Sequence, residues 1–200
     1  MKIVLSPAKA LDYTTPALDV PASLPAFPEQ THALVDILRG YDEVALSGLM
    51  SISAALSREN VARYQRFSDT FDETNSRPAL YAFNGDVYDG LSARTLTRAE
   101  AERANGLVRI LSGLYGVLRP FDLMQPYRLE MGTKLPNPAG KDLYAFWRER
   151  ITAALNEALA DDPHPVLVNL ASDEYFSAVD VKRLAHPVLN DDLMKRLDRS

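Results

Sequence analysis

Apolar positions along the chain follow two different periods, and their alternation predicts helices interleaved with short buried strands. Residues 2–5 (Lys-Ile-Val-Leu) form a compact apolar run ended by Ser6-Pro7 and read as a strand. Residues 14–28 contain Pro16, Pro21, Pro25 and Pro28 without periodicity, so an extended connection is expected there. Leu34, Val35, Ile37 and Leu38 share a helical face that Gly40 closes. A second helical stretch begins near Asp42, and a third runs from about Ser53 towards Phe67. Residues 78–83 read as a strand, followed by the turn-rich stretch 84–90. Thr97 with Glu100 makes a capping box for a helix over roughly 98–106. Residues 108–111 read as a strand leading into Ser112-Gly-Leu-Tyr-Gly116.

The clearest helix spans 142–160, where Leu143, Phe146, Trp147, Ile151, Leu155 and Leu159 recur at three and four residues and form a core-facing stripe. Residues 166–170 make a second buried strand, and Ser172 or Asp173 caps a short helix after it. These elements predict an α+β (mixed α/β) fold, a single domain over 1–200 with a central sheet flanked by helices.

Composition narrows the function classes. An apolar fraction of 46% and a charged fraction of 24% are ordinary globular values, and mean hydropathy is −0.17. The chain has no cysteine, which removes disulfides, thiolate metal sites and a cysteine nucleophile, and suits a reducing cytosol. The N-terminus lacks the apolar stretch of a signal peptide, and no run approaches a bilayer span, so a cytoplasmic protein without membrane contact is expected. Net charge is −5, yet residues 91–150 hold ten Lys/Arg against six Asp/Glu. A local basic surface is therefore open to an acidic protein.

His32, His164 and His186 stand apart from one another without ligand spacing, so no metal and no cofactor are expected. A Walker loop, a dinucleotide fingerprint and a serine nucleophile elbow are all absent from the sequence. Four polar clusters remain. Ser6-Pro-Ala-Lys9-Ala-Leu-Asp12 follows the first strand, where Lys9 could hold a phosphate or carboxylate or merely be solvated. Asn84-Gly85-Asp86-Val-Tyr88 presents amide, carboxylate and phenol on one turn. In residues 111–132, Gly113 and Gly116 permit a tight turn with uncovered amides, and Arg119 and Arg128 can each grip a phosphate. The same arginines can instead pair with Asp122 and Glu130. Asn169-Leu-Ala-Ser172-Asp-Glu-Tyr175 runs from a strand end into a helix start, which favours an anion but is equally explained by a plain helix cap.

Read in order, these clusters resemble the YaaA family of peroxide-stress proteins, the UPF0246 group. The blocks carrying the resemblance are SPAKALDY at 6–13, FNGDVYDGL at 83–91, LSGLYGVLRPFDLMQPYRLEMG at 111–132, KDLYAFW at 141–147 and VNLASDEYF at 168–176. The resemblance implies a cytosolic hydrogen-peroxide response protein that limits free iron and binds duplex DNA through a basic cleft and a helix-hairpin-helix element. That element maps onto residues around 111–124, although the strand expected at 108–111 fits it poorly. Family-like sequence fades after Val188, and residues 189–200 read as a non-family tail able to form one short amphipathic helix, on a C-terminally shortened chain.

Two functions follow from these readings, beside a third option of a non-catalytic interaction protein whose arginines pair internally. In the first, the protein contacts double-stranded DNA through phosphates, using the amides of Gly113 and Gly116 and the charges of Lys9, Arg119 and Arg128. In the second, it is an enzyme or small-molecule binder for a nucleotide-like ligand. Its pocket then gathers Lys9, Asp12, Asn84, Asp86, Tyr88, Arg128, Glu130 and Asn169.

Overall fold

The computed structural model describes residues 1–190; residues 191–200 lie outside the described residues, and with them most of the tail helix expected over 189–200, whose first two residues, Leu189 and Asn190, belong to a strand instead. Strand β1 (Lys2–Leu5) leads through β2 (Ala10–Leu11) and a proline-rich connection into helices α1 (Pro28–Arg39), α2 (Glu43–Met50) and α3 (Ala54–Arg66). Then come β3 (Arg77–Pro78), α4 (Ala79–Ala82), β4 (Phe83–Asn84), α5 (Asp86–Leu91) and α6 (Arg98–Leu107). The chain continues with β5 (Val108–Ser112), β6 (Gly116–Leu118), β7 (Leu123–Met124), α7 (Leu143–Ala160), β8 (Leu167–Asn169), α8 (Asp173–Phe176) and β9 (Val188–Asn190).

Most local signals act as expected, although Ser172 before α8 makes no side-chain cap bond and pairs with Ser6 instead. Thr97 and Glu100 complete both halves of the capping box on α6, Asp142 caps α7 through the Ala145 N–H, and Arg39 with Gly40 ends α1. Residues 78–83 depart from the expected strand. The Ala79 and Leu80 N–H groups bond to the Asp122 and Pro120 carbonyls, both at 2.9 Å, and not to a neighbouring strand. The alanine-rich stretch therefore closes into one helical turn between two short strands.

The main sheet has the order β6-β5-β1-β8-β9. Strand β1 runs parallel to both β5 and β8, β8 runs parallel to β9, and β6 folds back antiparallel on β5. Parallel strands covered on both faces need continuous apolar sequence; accordingly Val4, Ile110, Leu111 and Leu167 are fully buried. The core stripe of α7, with Trp147, Ile151, Leu155 and Leu159, joins the same apolar cluster.

Residues 111–124 contain no helix-hairpin-helix. Strand β5 turns at Gly113–Tyr115 into β6, making a β-hairpin in which Ser112 faces Gly116. Both glycines are buried, and their reason is packing. A Cβ on Gly113 would collide with the Leu129 carbonyl, and one on Gly116, at φ +73°, would lie 2.7 Å from the Trp147 ring. Trp147 donates its indole N–H to the Gly113 carbonyl at 2.8 Å, which draws α7 onto the hairpin.

Beyond β7 the chain joins no sheet and is broken by one turn, where the Thr133 N–H bonds to the Glu130 carbonyl at 3.0 Å. Gln125, Tyr127, Leu129, Met131, Thr133 and Leu135 are buried while the residues between them are not, a strand-like alternation. Buried backbone groups without a ladder need other partners, and phenols supply them. Tyr13 donates to the Met124 carbonyl at 2.6 Å, Tyr64 donates to the Arg128 carbonyl, and Tyr115 accepts from the Gln125 N–H at 2.9 Å. Tyr127 and Ser112 share a hydrogen bond of 2.6 Å between hydroxyls, and the Gln125 amide clasps Ser68 through both its N–H and C=O groups.

Two predictions follow from this packing. Gly113→Ala is expected to cost at least about 1–3 kcal/mol through overpacking against backbone, whereas Gly48→Ala, in α2 with open space around it, gains about 0.5–1 kcal/mol; urea denaturation of both variants measures the difference. Burial raises the phenol pKa of Tyr13, Tyr64, Tyr115 and Tyr127 well above the ordinary value. A group whose folded pKa is raised stabilises fully below its unfolded pKa of about 10 and loses that contribution as pH climbs towards the folded value. Alkaline titration followed at the phenolate absorbance is therefore expected to show these tyrosines ionising together with unfolding, and not in a gradual folded-state titration.

Candidate functional site

The carboxyl ends of β1, β8 and β9 lie in register, since Val4 faces Asn169 and Asn169 faces Asn190. From β1 the sheet continues to β5 on one side and to β8 on the other, the kind of switch point outside which open α/β sheets bind ligands. A cleft of about 1120 Å³ opens there, with Ser6, Lys9, Asn169, Ser172 and Glu174 in its lining.

Its floor is held by short polar contacts. Ser6 Oγ donates to Ser172 Oγ at 3.2 Å and accepts from the Ser172 N–H at 2.9 Å. Tyr88, buried beneath, donates to the Ser6 carbonyl at 3.0 Å. Asn169 is 8% exposed; it donates to Asn190 Oδ1 at 3.1 Å and accepts from the Ala171 N–H at 3.0 Å. Lys9 stands at the rim with its ammonium 3.3 Å from Glu130. Arg128 holds the other oxygen of Glu130 at 2.6 Å, so one carboxylate lies between two cations. The outward phase of the segment after β7, set by the burial of Tyr127, Leu129 and Met131, brings Arg128 and Glu130 to this place.

A smaller cavity of about 250 Å³ adjoins, sharing Glu174 with the cleft and lined also by Arg128, Glu130 and residues 49–51 at the end of α2. Here the fold does contain two helices joined by a three-residue turn. Helix α2 ends at Ser51 in the left-handed conformation (φ 52°, ψ 47°), and α3 starts after Ser53, whose Oγ caps the Leu56 N–H. Ser47 Oγ donates to the Ile52 carbonyl at 2.6 Å and tightens the turn.

Four of the eight residues expected to share a ligand pocket come together here: Lys9, Arg128, Glu130 and Asn169. Tyr88 supports the floor from below. Asp12 lies elsewhere, bound by Arg94 at 2.7 Å and by the Thr14 and Thr15 N–H groups; hydrogen bonds from Thr15 and Thr14 pull its pKa far below the usual carboxylate range. Asn84 pairs with Ala10 between β4 and β2 and lines a separate small cavity with Arg94. Asp86 is exposed in the first turn of α5. The phosphate-binding role expected of Gly113 and Gly116 is corrected, because both are covered. Arg119 donates to buried Asp122 at 2.9 and 3.0 Å, the pairing that the sequence also allowed.

The sequence reading missed Asn190 and the turn at 51–53, and it gave no role to Val87, Leu170 and Glu174 although its polar clusters contain them. Two helices expected on either side of so short a gap already marked that turn. The alternation of residues 125–135 likewise marked Arg128 and Glu130 as outward-facing neighbours.

A sequence profile described as peroxide stress protein YaaA matches residues 1–198. The chain belongs to this family. A UPF0246 protein of Methylibium petroleiphilum is 53% identical over 195 residues, covering 96% of this chain and 76% of that protein. One from Tolumonas auensis is 52% identical over 189 residues, covering 94% and 73%, and one from an Azoarcus species is 53% identical over 199 residues, covering 96% and 76%. Membership supports a role in peroxide stress. Among the described residues, no helix is long and apolar enough to cross a membrane.

Lys9 is 68% exposed, so its pair with Glu130 adds little to stability. Lys9→Ala is expected to change unfolding free energy by less than about 0.5 kcal/mol. Glu130→Ala strands Arg128, which is 17% exposed, and is expected to cost about 1–3 kcal/mol. Thermal melts of the two variants separate a replaceable rim charge from a structural one.

Proposed function

We propose that this YaaA-family protein serves the peroxide response by contacting the phosphate backbone of double-stranded DNA through the turn between α2 and α3. The observation carrying this reading is the bare start of α3. Ala54 and Ala55 are exposed and small, and the first turn of α3 holds no acidic residue. Helix geometry leaves their N–H groups without an intrahelical partner, and the helix dipole favours an anion at that end. Ser51 and Ser53 keep the turn narrow, so a phosphate can approach the backbone closely.

Contacts of this kind carry no base sequence information. Binding then discriminates little among duplexes and weakens with salt as counterions are released. In this reading the earlier assignment of phosphate contact to residues 111–124 gives way to residues 51–55. Iron limitation, also implied by the resemblance, has no residue assigned to it.

Ala54→Glu tests the reading cleanly. A glutamate in the first turn suits the helix dipole and leaves the fold as stable or slightly more so, but it places a negative charge where the phosphate would sit. Fluorescence anisotropy with two unrelated duplexes at two salt concentrations is expected to show at least tenfold weaker binding for the variant. It should also show a steep loss of wild-type binding at higher salt. Equal binding by variant and wild type, or salt-independent binding, overturns the proposal.

A further inference from the structure

We infer that the cleft at the ends of β1, β8 and β9 is a pocket for a single unstacked nucleotide. It rests on the proposed DNA contact only where that nucleotide comes from DNA. Three features of the cleft point to this chemistry.

First, the walls are apolar although they face solvent. Val87, from α5, and Leu170, from the loop after β8, are 46% and 44% exposed and both line the cleft. Large apolar side chains exposed on two elements around one concave site offer surfaces to the faces of a flat ring. Second, the floor carries an amide. Asn169 has one N–H engaged by Asn190 and one acceptor position engaged by Ala171. A primary amide has two N–H donors and two acceptor lone pairs, so one of each remains, the pattern with which asparagine reads the edge of a base. Third, the charges at the rim set the phosphate count. Lys9 and Arg128 both pair with Glu130, while Asp173 and Glu174 line the same cleft and Glu174 accepts from the Gly132 N–H at 2.9 Å. Two cations against three carboxylates suit at most one phosphate, received by Lys9 as it leaves its weak pair with Glu130, while the carboxylates can accept from a base amino group. The volume of about 1120 Å³ is ample for a mononucleotide.

Two sources offer this ligand: a free mononucleotide, or a nucleotide extruded from a duplex, as in enzymes that act on unstacked bases. The test uses the full chain with AMP, CMP, ATP and inorganic phosphate as calorimetric probes, and a duplex carrying 2-aminopurine in a small unpaired bubble. Leu170→Asp and Lys9→Ala alter exposed side chains and keep the fold.

AMP or CMP is expected to bind, with at least tenfold loss in each variant and with ATP weaker than AMP. Ala54→Glu should leave mononucleotide binding unchanged, so failure of the DNA reading would leave this site standing. A 2-aminopurine fluorescence change on binding that Leu170→Asp abolishes assigns the source to DNA; mononucleotide binding without that change assigns it to the free pool. Inorganic phosphate matching AMP, or ATP matching AMP, overturns the inference. So does the lack of both mononucleotide binding at about 10 mM, a ceiling weaker than the millimolar end of the affinity scale, and a 2-aminopurine response.

Discussion

The molecule depends on how one buried, irregular stretch of backbone outside any sheet is satisfied. Residues 125–135 alternate like a strand but join no sheet, so the ladder that usually neutralises buried amides is missing. Leaving such groups without partners costs about 1–3 kcal/mol each. Tyrosines from distant parts of the chain remove that cost: Tyr13 beyond β2, Tyr64 in α3 and Tyr115 in the β5–β6 turn each hydrogen-bond this run or its entry at Met124. The same rings fill the core, with Tyr115 and Tyr127 meeting edge to face at 5.4 Å between centroids. One side-chain type thus provides apolar volume and a polar tip, as burial of an irregular segment requires.

This constraint shapes the site. With Tyr127, Leu129 and Met131 held inward, Arg128 and Glu130 must face outward on the same side, beside Lys9 and the strand ends. The Gly113 turn presses against the Leu129 carbonyl, so the glycines that look suited to phosphate contact hold the segment that carries the charged pair. The partners chosen by Arg119 and Arg128 are carboxylates two or three residues away. With these two arginines engaged by carboxylates, attention shifts to backbone amides at α3 as the anion-facing groups.

Much of the fold was legible in the sequence because its signals are local. Apolar periodicity at 143–159, the Thr97–Glu100 box, the stop at Gly40 and the compact runs at 2–5 and 166–170 each depend on residues within one or two turns. Blocks such as FNGDVYDGL and VNLASDEYF carried the family as well, since membership is a property of sequence. The chain's α+β class, its single central sheet and the placement of Lys9 and Asn169 near strand ends follow from such signals. Tertiary structure decided what local pattern leaves open. Gly113 and Gly116 look the same in sequence whether their amides meet solvent or lie under Leu129 and Trp147. Asp12 and Asn84 sit in polar turns like those at Lys9 and Asn169, but Arg94 and β2 take them elsewhere. Their positions depend on contacts between residues tens of positions apart, and sequence spacing carries no information about which distant partner closes on a given turn.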